Sequence, residues 1–354
     1  MSNPYSEIPN FCFWSRSIEN LAPWQIDPCT NDKLIKIKDC NKVGTIGSCF
    51  AQHIGRFIEN SGFCFYRPET GGNSLTEFER RTRNYGIFSA RYGNVYTVKQ
   101  LVQLFCRAFN TFSPAESIWN FGLRFVDPFR PQVEPDGFID ERSLIIDRVL
   151  HLSYVRDVFV KLDYLILTLG LTEGWRSKVD GAVFPIAPGV CGGEYDPTKH
   201  EFINFSVSEI ESDLVLFIKL VRNVNPNLKI ILTVSPVPLA ATYENRHVLV
   251  SSTYSKSALR VVADIIERKF ENVIYFPSFE IITLQAAQGV YYNDDFRRVS
   301  DIGVNHVMRI FGKHFLANFS SFNSVDTDGI NCDAFVTNSS VVCDEELIVK
   351  SLNQ

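Results

Sequence analysis

No run of about 18 uninterrupted apolar residues occurs in this sequence, so no helix is expected to cross a bilayer. None of the nine cysteines stands in a C-x-x-C pair, and the histidines show no zinc-type spacing. No metal or other cofactor is therefore expected. A complete G-x-G-x-x-G is missing, as is G-x-x-x-x-G-K-[ST], so the common signals for a nucleotide phosphate are missing too. There is no excess of positive charge: Lys+Arg 35 against Asp+Glu 40 gives a formal net charge of -5. That balance argues against nucleic acid as a partner, because non-specific binding to it needs clustered cations. The start, Met1-Ser2-Asn3-Pro4-Tyr5-Ser6-Glu7, lacks the basic and apolar regions of a secretory leader. The expected compartment is the cytoplasm, with most cysteines reduced and buried as small apolar residues.

What is present suits a globular protein. The chain has 354 residues, 45% hydrophobic and 21% charged, enough for one large domain or two modest ones. Residues 1–41 carry scattered prolines and read as an N-terminal extension. The first strand is expected at Lys42–Ile46. Phe50, Ile54, Phe57 and Ile58 then share one helical face, with Gly62 as the stop. Further strands are expected at Phe63–Tyr66, Tyr164–Leu169, Lys229–Val234 and Asn272–Phe276, nearly all apolar and so covered on both faces. Helical patterns fall at Val98–Phe109, Ser208–Val221, Tyr254–Lys269 and Ile302–Phe315. This alternation predicts an α/β fold with a parallel sheet and helices on both sides. Residues 110–150 and 176–205 read as long insertions. Residues 42–317 form the expected α/β domain, and 318–354 a tail or small appendage in which Val341-Val342 and Leu347-Ile348 supply the order.

The strongest chemical signal is Thr45-Ile46-Gly47-Ser48-Cys49-Phe50-Ala51. A strand ends, a glycine permits a tight turn, and a serine stands at the first turn of a helix. Backbone N–H groups converge there and the helix dipole favours negative charge. Ser48 could attack a carbonyl while neighbouring N–H groups stabilise the oxyanion. The plainer reading is an N-cap serine. Cys49 is a competing nucleophile. A nucleotide loop fits poorly, because Phe50 stands where a small residue is needed.

The segment Gly47-Ser48-Cys49-Phe50-Ala51 resembles the signature of the GSCFA family, a branch of the SGNH (GDSL-like) hydrolases. Further segments resemble the same family in the same order: Arg91-Tyr92-Gly93-Asn94-Val95-Tyr96-Thr97, Leu167 to Trp175, Thr233 to Leu239, Tyr254-Ser255-Lys256-Ser257 and Tyr275 to Glu280. The resemblance implies a flavodoxin-like three-layer α/β/α sandwich. It implies hydrolysis or transfer of an O-acyl group on an acylated saccharide or similar small ester, with Ser48 as nucleophile. Gly93 would give a backbone N–H to the oxyanion, and Thr172 would stand where the superfamily usually has a donating Asn. Asp295 matches the Asp of an Asp-x-x-His pair, but Arg298 stands in place of the His.

That departure matters, because a guanidinium with a pKa above about 12 cannot accept the serine proton near neutral pH. His53, His151, His200, His247, His306 and His314 are the remaining imidazoles, and none has compelling spacing. A carboxylate, Asp295 or Glu173, could accept the proton only if burial raised its pKa. Alternatively the site has lost hydrolysis and binds a small anionic or sugar ligand. Arg91, Arg297, Arg298 and Lys256 would suit a carboxylate or phosphate. Asn94, Glu173 and Trp175 complete the candidate ligand contacts, Trp175 as a platform for a sugar face.

Overall fold

The computed structural model describes residues 3–30, 36–72, 74–319, 341 and 343–352. These form two compact units. One joins the residues up to Lys38 with those from Phe276 to Phe319; the other joins those from Asp39 to Tyr275 with the segment after 340.

The second unit holds a four-stranded parallel sheet, formed by β1 (Val43–Gly47), β2 (Tyr164–Leu169), β3 (Lys229–Val234) and β4 (Val273–Tyr275), in the order β1-β2-β3-β4. Register pairs Gly47 with Thr168, and Thr168 with Thr233. Every residue of β1 and β2 is buried, as strands covered on both faces require. The longer helices are α1 (Phe50–Asn60), α2 (Val98–Ala108), α3 (Glu141–Lys161), α4 (Val207–Val224) and α5 (Val248–Lys269). α1 packs on β1 and β2, and α5 on β3 and β4. The expected α/β architecture is thus present, a parallel sheet flanked by helices. The segment expected as a strand at Phe63–Tyr66 is reduced to one parallel bridge, Val43 with Phe65.

Local sequence explains the helix starts. Thr97 caps α2 and Ser206 caps α4, each in a capping box with the residue three later, Gln100 and Glu209. The insertions are structured. Residues 173–177 form the centre of a three-stranded antiparallel sheet with 183–184 and 200–204. α3 begins inside the other insertion; its apolar residues lie on several sides, and Ile146 and Val149 are exposed, so it shows no single helical stripe.

In the first unit, helix α6 (Asp301–Phe315) starts at the N-cap Ser300. Phe311 and Phe315 both pack their rings against Phe276, at 5.2 and 5.5 Å between centroids. The N-terminal residues are tied to this helix: His306 contacts the Ile26 carbonyl at 3.1 Å, and Ile37 bridges to Leu316. Eight cysteines among the described residues form no disulfide; of these only Cys49 is buried, while Cys12, Cys40 and Cys64 are exposed. The expectation of mostly buried cysteines does not hold there. No helix among the described residues is long and apolar enough to cross a membrane.

Candidate active site

β1 ends at Gly47, whose φ of +146° lies in the region that favours glycine. A Cβ there would meet the Thr168 carbonyl oxygen at 2.2 Å, so the turn before Ser48 requires glycine. Ser48 follows at once, and its carbonyl accepts from the Ala51 N–H at 2.9 Å as α1 begins. The Ser48 hydroxyl is buried and makes no hydrogen bond among the described residues, so it does not cap α1. Gly170, just past β2, lies against it: a Cβ at Gly170 would come within 3.0 Å of Ser48 Cβ and 2.9 Å of the Tyr96 carbonyl oxygen. The hydroxyls of Thr45 and Thr168 are likewise buried without partners among the described residues.

The segment Arg91–Thr97 is fastened at both ends. Val95 N–H donates to the Gly47 carbonyl at 2.9 Å, and the Tyr96 carbonyl accepts from Leu171 N–H at 2.9 Å. Gln100 accepts from the Tyr96 and Thr97 N–H groups. These bonds bring Gly93, Asn94 and Tyr96 to the carboxyl edge of β1 and β2. Gly93 has φ +68°, and a Cβ there would meet nothing within 4 Å.

Arg91 is 1% exposed and spends all five donors inside the protein. They go to the Arg83 and Val133 carbonyls, the Tyr85 hydroxyl, and the carboxylates of Asp147 and Glu134, all at 2.8 to 2.9 Å. A ligand anion finds no free N–H on it. Asp147 also accepts from Arg130 at 2.8 Å, and Arg130 and Arg148 both hold Asp127. Burial alone would raise the Asp127 pKa, but the guanidiniums of Arg130, Arg148 and Arg107 hold it well below the usual carboxylate range.

The other expected site residues have partners as well. Thr172 donates its hydroxyl to Asn204 Oδ1 at 2.7 Å. Glu173 is buried and accepts from the Thr242 hydroxyl at 2.8 Å; burial, helped by Glu244, raises its pKa. Trp175 meets Tyr195, Phe202 and Tyr243 edge-on, at 4.8 to 6.0 Å between centroids. Lys256 is buried, with Nζ 2.7 Å from the Gly170 carbonyl oxygen. In the first unit, Asp295 accepts from Arg298 Nε at 2.6 Å and from the N–H groups of Arg297 and Arg298. Burial pushes the Asp295 pKa up, but those bonds outweigh it and leave the carboxyl below its ordinary value.

No histidine among the described residues is bonded to the Ser48 hydroxyl. His151 binds Glu69 at 2.8 Å, His200 binds Glu116 at 2.7 Å, and His247 accepts from Leu249 N–H at the start of α5. His306 and His314 are engaged by Tyr291 and Asp27. Burial, with Arg56 nearby, pushes the His53 pKa down to about 3, so this imidazole is neutral.

Sequence reasoning missed the residue that sits on Asn94. Asp344, 4% exposed, accepts from Asn94 Nδ2 at 3.0 Å and from Gln132 Nε2, while its N–H donates to the Tyr96 hydroxyl at 3.0 Å. Asp344, Asn94, Gly93, Gln132 and Arg130 line a small cavity; Ser48 does not. Burial raises the Asp344 pKa to about 6, only partly offset by the Asn94 hydrogen bond, and Glu345 pushes it the same way. Nothing in the local sequence around position 344 points to this contact, which spans 250 residues.

Comparison with known proteins adds three findings. No curated protein matches this sequence. Among solved structures, a crystal structure of an acetyl esterase mutant with an acetate ion is similar at 10% identity. It covers 77% of this chain and 95% of that one with a TM-score of 0.35, too distant to bear on the chemistry. The family model described as the GSCFA family matches residues 42–311, about three quarters of the sequence. That span takes in the Gly47–Ala51 turn, the Arg91–Thr97 segment and Gly170, and the chain belongs to the GSCFA family.

Proposed function

We propose that this protein is an SGNH-like hydrolase or acyltransferase that acts through Ser48 on an O-acyl ester, with an acylated saccharide as the substrate class. One observation carries the reading: a buried hydroxyl at a strand-to-helix turn that bonds to no group among the described residues. Leaving such a group unpaired costs about 1–3 kcal/mol. Ser48 brings no structural return for that cost, since it caps no helix. A hydroxyl kept free at a turn rich in backbone N–H groups suits a nucleophile.

In this reading Ser48 Oγ attacks the ester carbonyl, and the Gly93 N–H supports the oxyanion. The alcohol leaves with a proton, and water or an acceptor alcohol then takes the acyl group from the serine. Thr172 contributes to the oxyanion only by giving up its bond to Asn204. Arg298 cannot take the serine proton, so Asp295 keeps it as an ion-pair partner rather than orienting a histidine. The proton acceptor in this reading is the Lys256 amine in its uncharged form, held against Gly170, whose Cβ position lies against Ser48; it then passes that proton to the leaving alcohol. Serine–lysine pairs are a known form of this chemistry.

The test is labelling with a fluorophosphonate, mass-spectrometric location of the adduct, and turnover of simple acetyl esters. An adduct on Ser48 that disappears in Ser48→Ala, and turnover lost in Lys256→Met, are the expected results. Absence of both adduct and turnover would leave the scaffold as a binding protein for a small anionic or sugar ligand. That second reading draws on one observation: no base is hydrogen-bonded to the Ser48 hydroxyl.

A further inference from the structure

The residues leading into helix α7 (Glu346–Ser351) bond to the Arg91–Thr97 segment, whose Val95 N–H meets the carbonyl of Gly47, the residue before Ser48. Asp344 holds Asn94, Gln132 and Tyr96 as described above. Glu345 accepts from the Ala240 N–H at 3.2 Å. Leu347 and Ile348 pack against the cluster of Trp119, Val126, Phe184 and Ile186, which Trp175 also joins. Asn94 and Tyr96 flank Val95, which is bonded to the last residue of β1; Trp175 follows β2, and Ala240 follows β3. The segment therefore touches the Arg91–Thr97 segment, bonded to the last residue of β1, and the chain beyond β3, on the carboxyl side of the sheet, where open α/β sheets bind ligands. Tyr96 joins the two sites: its hydroxyl meets Asp344, and its carbonyl lies against Gly170, the neighbour of Ser48.

Three features mark this contact as detachable. Asp344 is buried yet makes no ion pair among the described residues; its hydrogen-bond partners are two amides and a phenol. Helix α7 has six residues and no side-chain cap, and Val349 and Leu352 are exposed. The segment also lies outside residues 42–311, which the family shares. A second observation points to a ligand: Arg130, 2% exposed, leaves Nη1 without a partner while lining the same cavity as Asp344 and Asn94.

We propose that residues 343–352 are a built-in cover for the Ser48 site, with the Asp344 carboxyl group occupying Asn94 and Gln132 in place of a ligand's carboxyl or acyl oxygen. The site opens when the segment leaves. This rests on the Ser48 reading for its consequence, but not for its measurement.

The measurement is access to position 48 in the full chain. In a Ser48→Cys background, iodoacetamide reacts slowly with the introduced thiol, as read by mass spectrometry. Adding Asp344→Ala with Leu347→Ser speeds that reaction at least about tenfold, because two hydrogen bonds and an apolar anchor are lost. A peptide of residues 343–352 supplied in trans slows it again. Equal rates in the parent and the double variant, or no effect of the peptide, overturn the proposal. Should the double variant unfold, buried Cys49 will react together with the introduced thiol, and the single Leu347→Ser variant then carries the same comparison. Ester turnover separates the two ideas. Faster alkylation at position 48 without turnover in any Ser48-containing form sinks the hydrolase reading and leaves the cover standing. Turnover equally fast with and without the Asp344→Ala and Leu347→Ser changes sinks the cover.

Discussion

Arg91 and Ser48 stand in neighbouring segments of one unit, both in family motifs and both buried, yet they are treated in opposite ways. The guanidinium has a partner for every N–H; the hydroxyl has none. A buried charge that is fully bonded positions structure, here by clamping the Arg91–Thr97 segment to the 110–150 insertion and α3. A buried hydroxyl that is left idle costs stability, as it does at Thr45 and Thr168 too; what sets Ser48 apart is its place at the first turn of a helix. Motif membership alone does not separate the two roles; counting donors and acceptors removes Arg91 as a ligand contact, and position at the strand-to-helix turn then distinguishes Ser48 from idle Thr45 and Thr168.

Breaking the comparison begins with the larger effect. Arg91→Met removes the donor to two carbonyls, to the Tyr85 hydroxyl and to one oxygen each of Asp147 and Glu134, leaving Arg130 and Arg83 as the remaining cations on those carboxylates. It should destabilise the fold by about 3–5 kcal/mol in a chemical denaturation series. A loss below about 1 kcal/mol would mean that the network relaxes around the gap, and that Arg91 is not the clamp described.

At Ser48 the sign reverses. Ser48→Ala should leave stability unchanged or raise it by about 1 kcal/mol, because an unpaired hydroxyl is removed, while abolishing any fluorophosphonate adduct. A destabilised Ser48→Ala protein would show that the hydroxyl has a structural partner after all. Thr168→Val sharpens the contrast: the same small gain, about 1 kcal/mol, is expected with labelling at Ser48 retained. Loss of labelling there would move Thr168 into the site.

The smallest effect concerns pH. The Asp344 carboxyl has a pKa of about 6 in the folded protein against an ordinary 3.8. The folded state thus binds this proton more tightly, so its contribution is fully present below about pH 4 and is lost as pH rises through about 6. Tyr96 and Glu345 bear on the same carboxyl, Cys343 bears on Tyr96, and Cys191 and the cavity-lining Arg130 are further ionisable groups near it. Amide exchange across residues 343–351 should accordingly be slower at pH 4 than at pH 7, after correction for intrinsic rates. Asp344→Asn, which cannot ionise, should flatten that difference; a profile that survives the substitution would assign it to another group.

Much of the α/β frame was legible because its strands are buried on both faces and so read as nearly continuous apolar runs, Tyr164–Leu169 and Lys229–Val234 among them. The Gly47-Ser48 turn was legible for a steric reason: only glycine clears the Thr168 carbonyl there. α3 was not, because Ile146 and Val149 face solvent and blur the helical stripe. The antiparallel strands at 173–177 and 200–204 were missed as well, being short, mixed in character and dependent on pairing with each other.

What the sequence determined by itself was local: which residues alternate, where a turn demands glycine, which serine follows it, and that position 298 cannot supply a base. What only the tertiary structure decided was partnership. Arg91 looked like a ligand contact until its five donors were found spent, and Asp344 looked like tail until it was found on Asn94. The reason is physical: hydrogen bonds and ion pairs are made at about 3 Å between groups that chain order leaves tens or hundreds of residues apart, and periodicity carries no record of them.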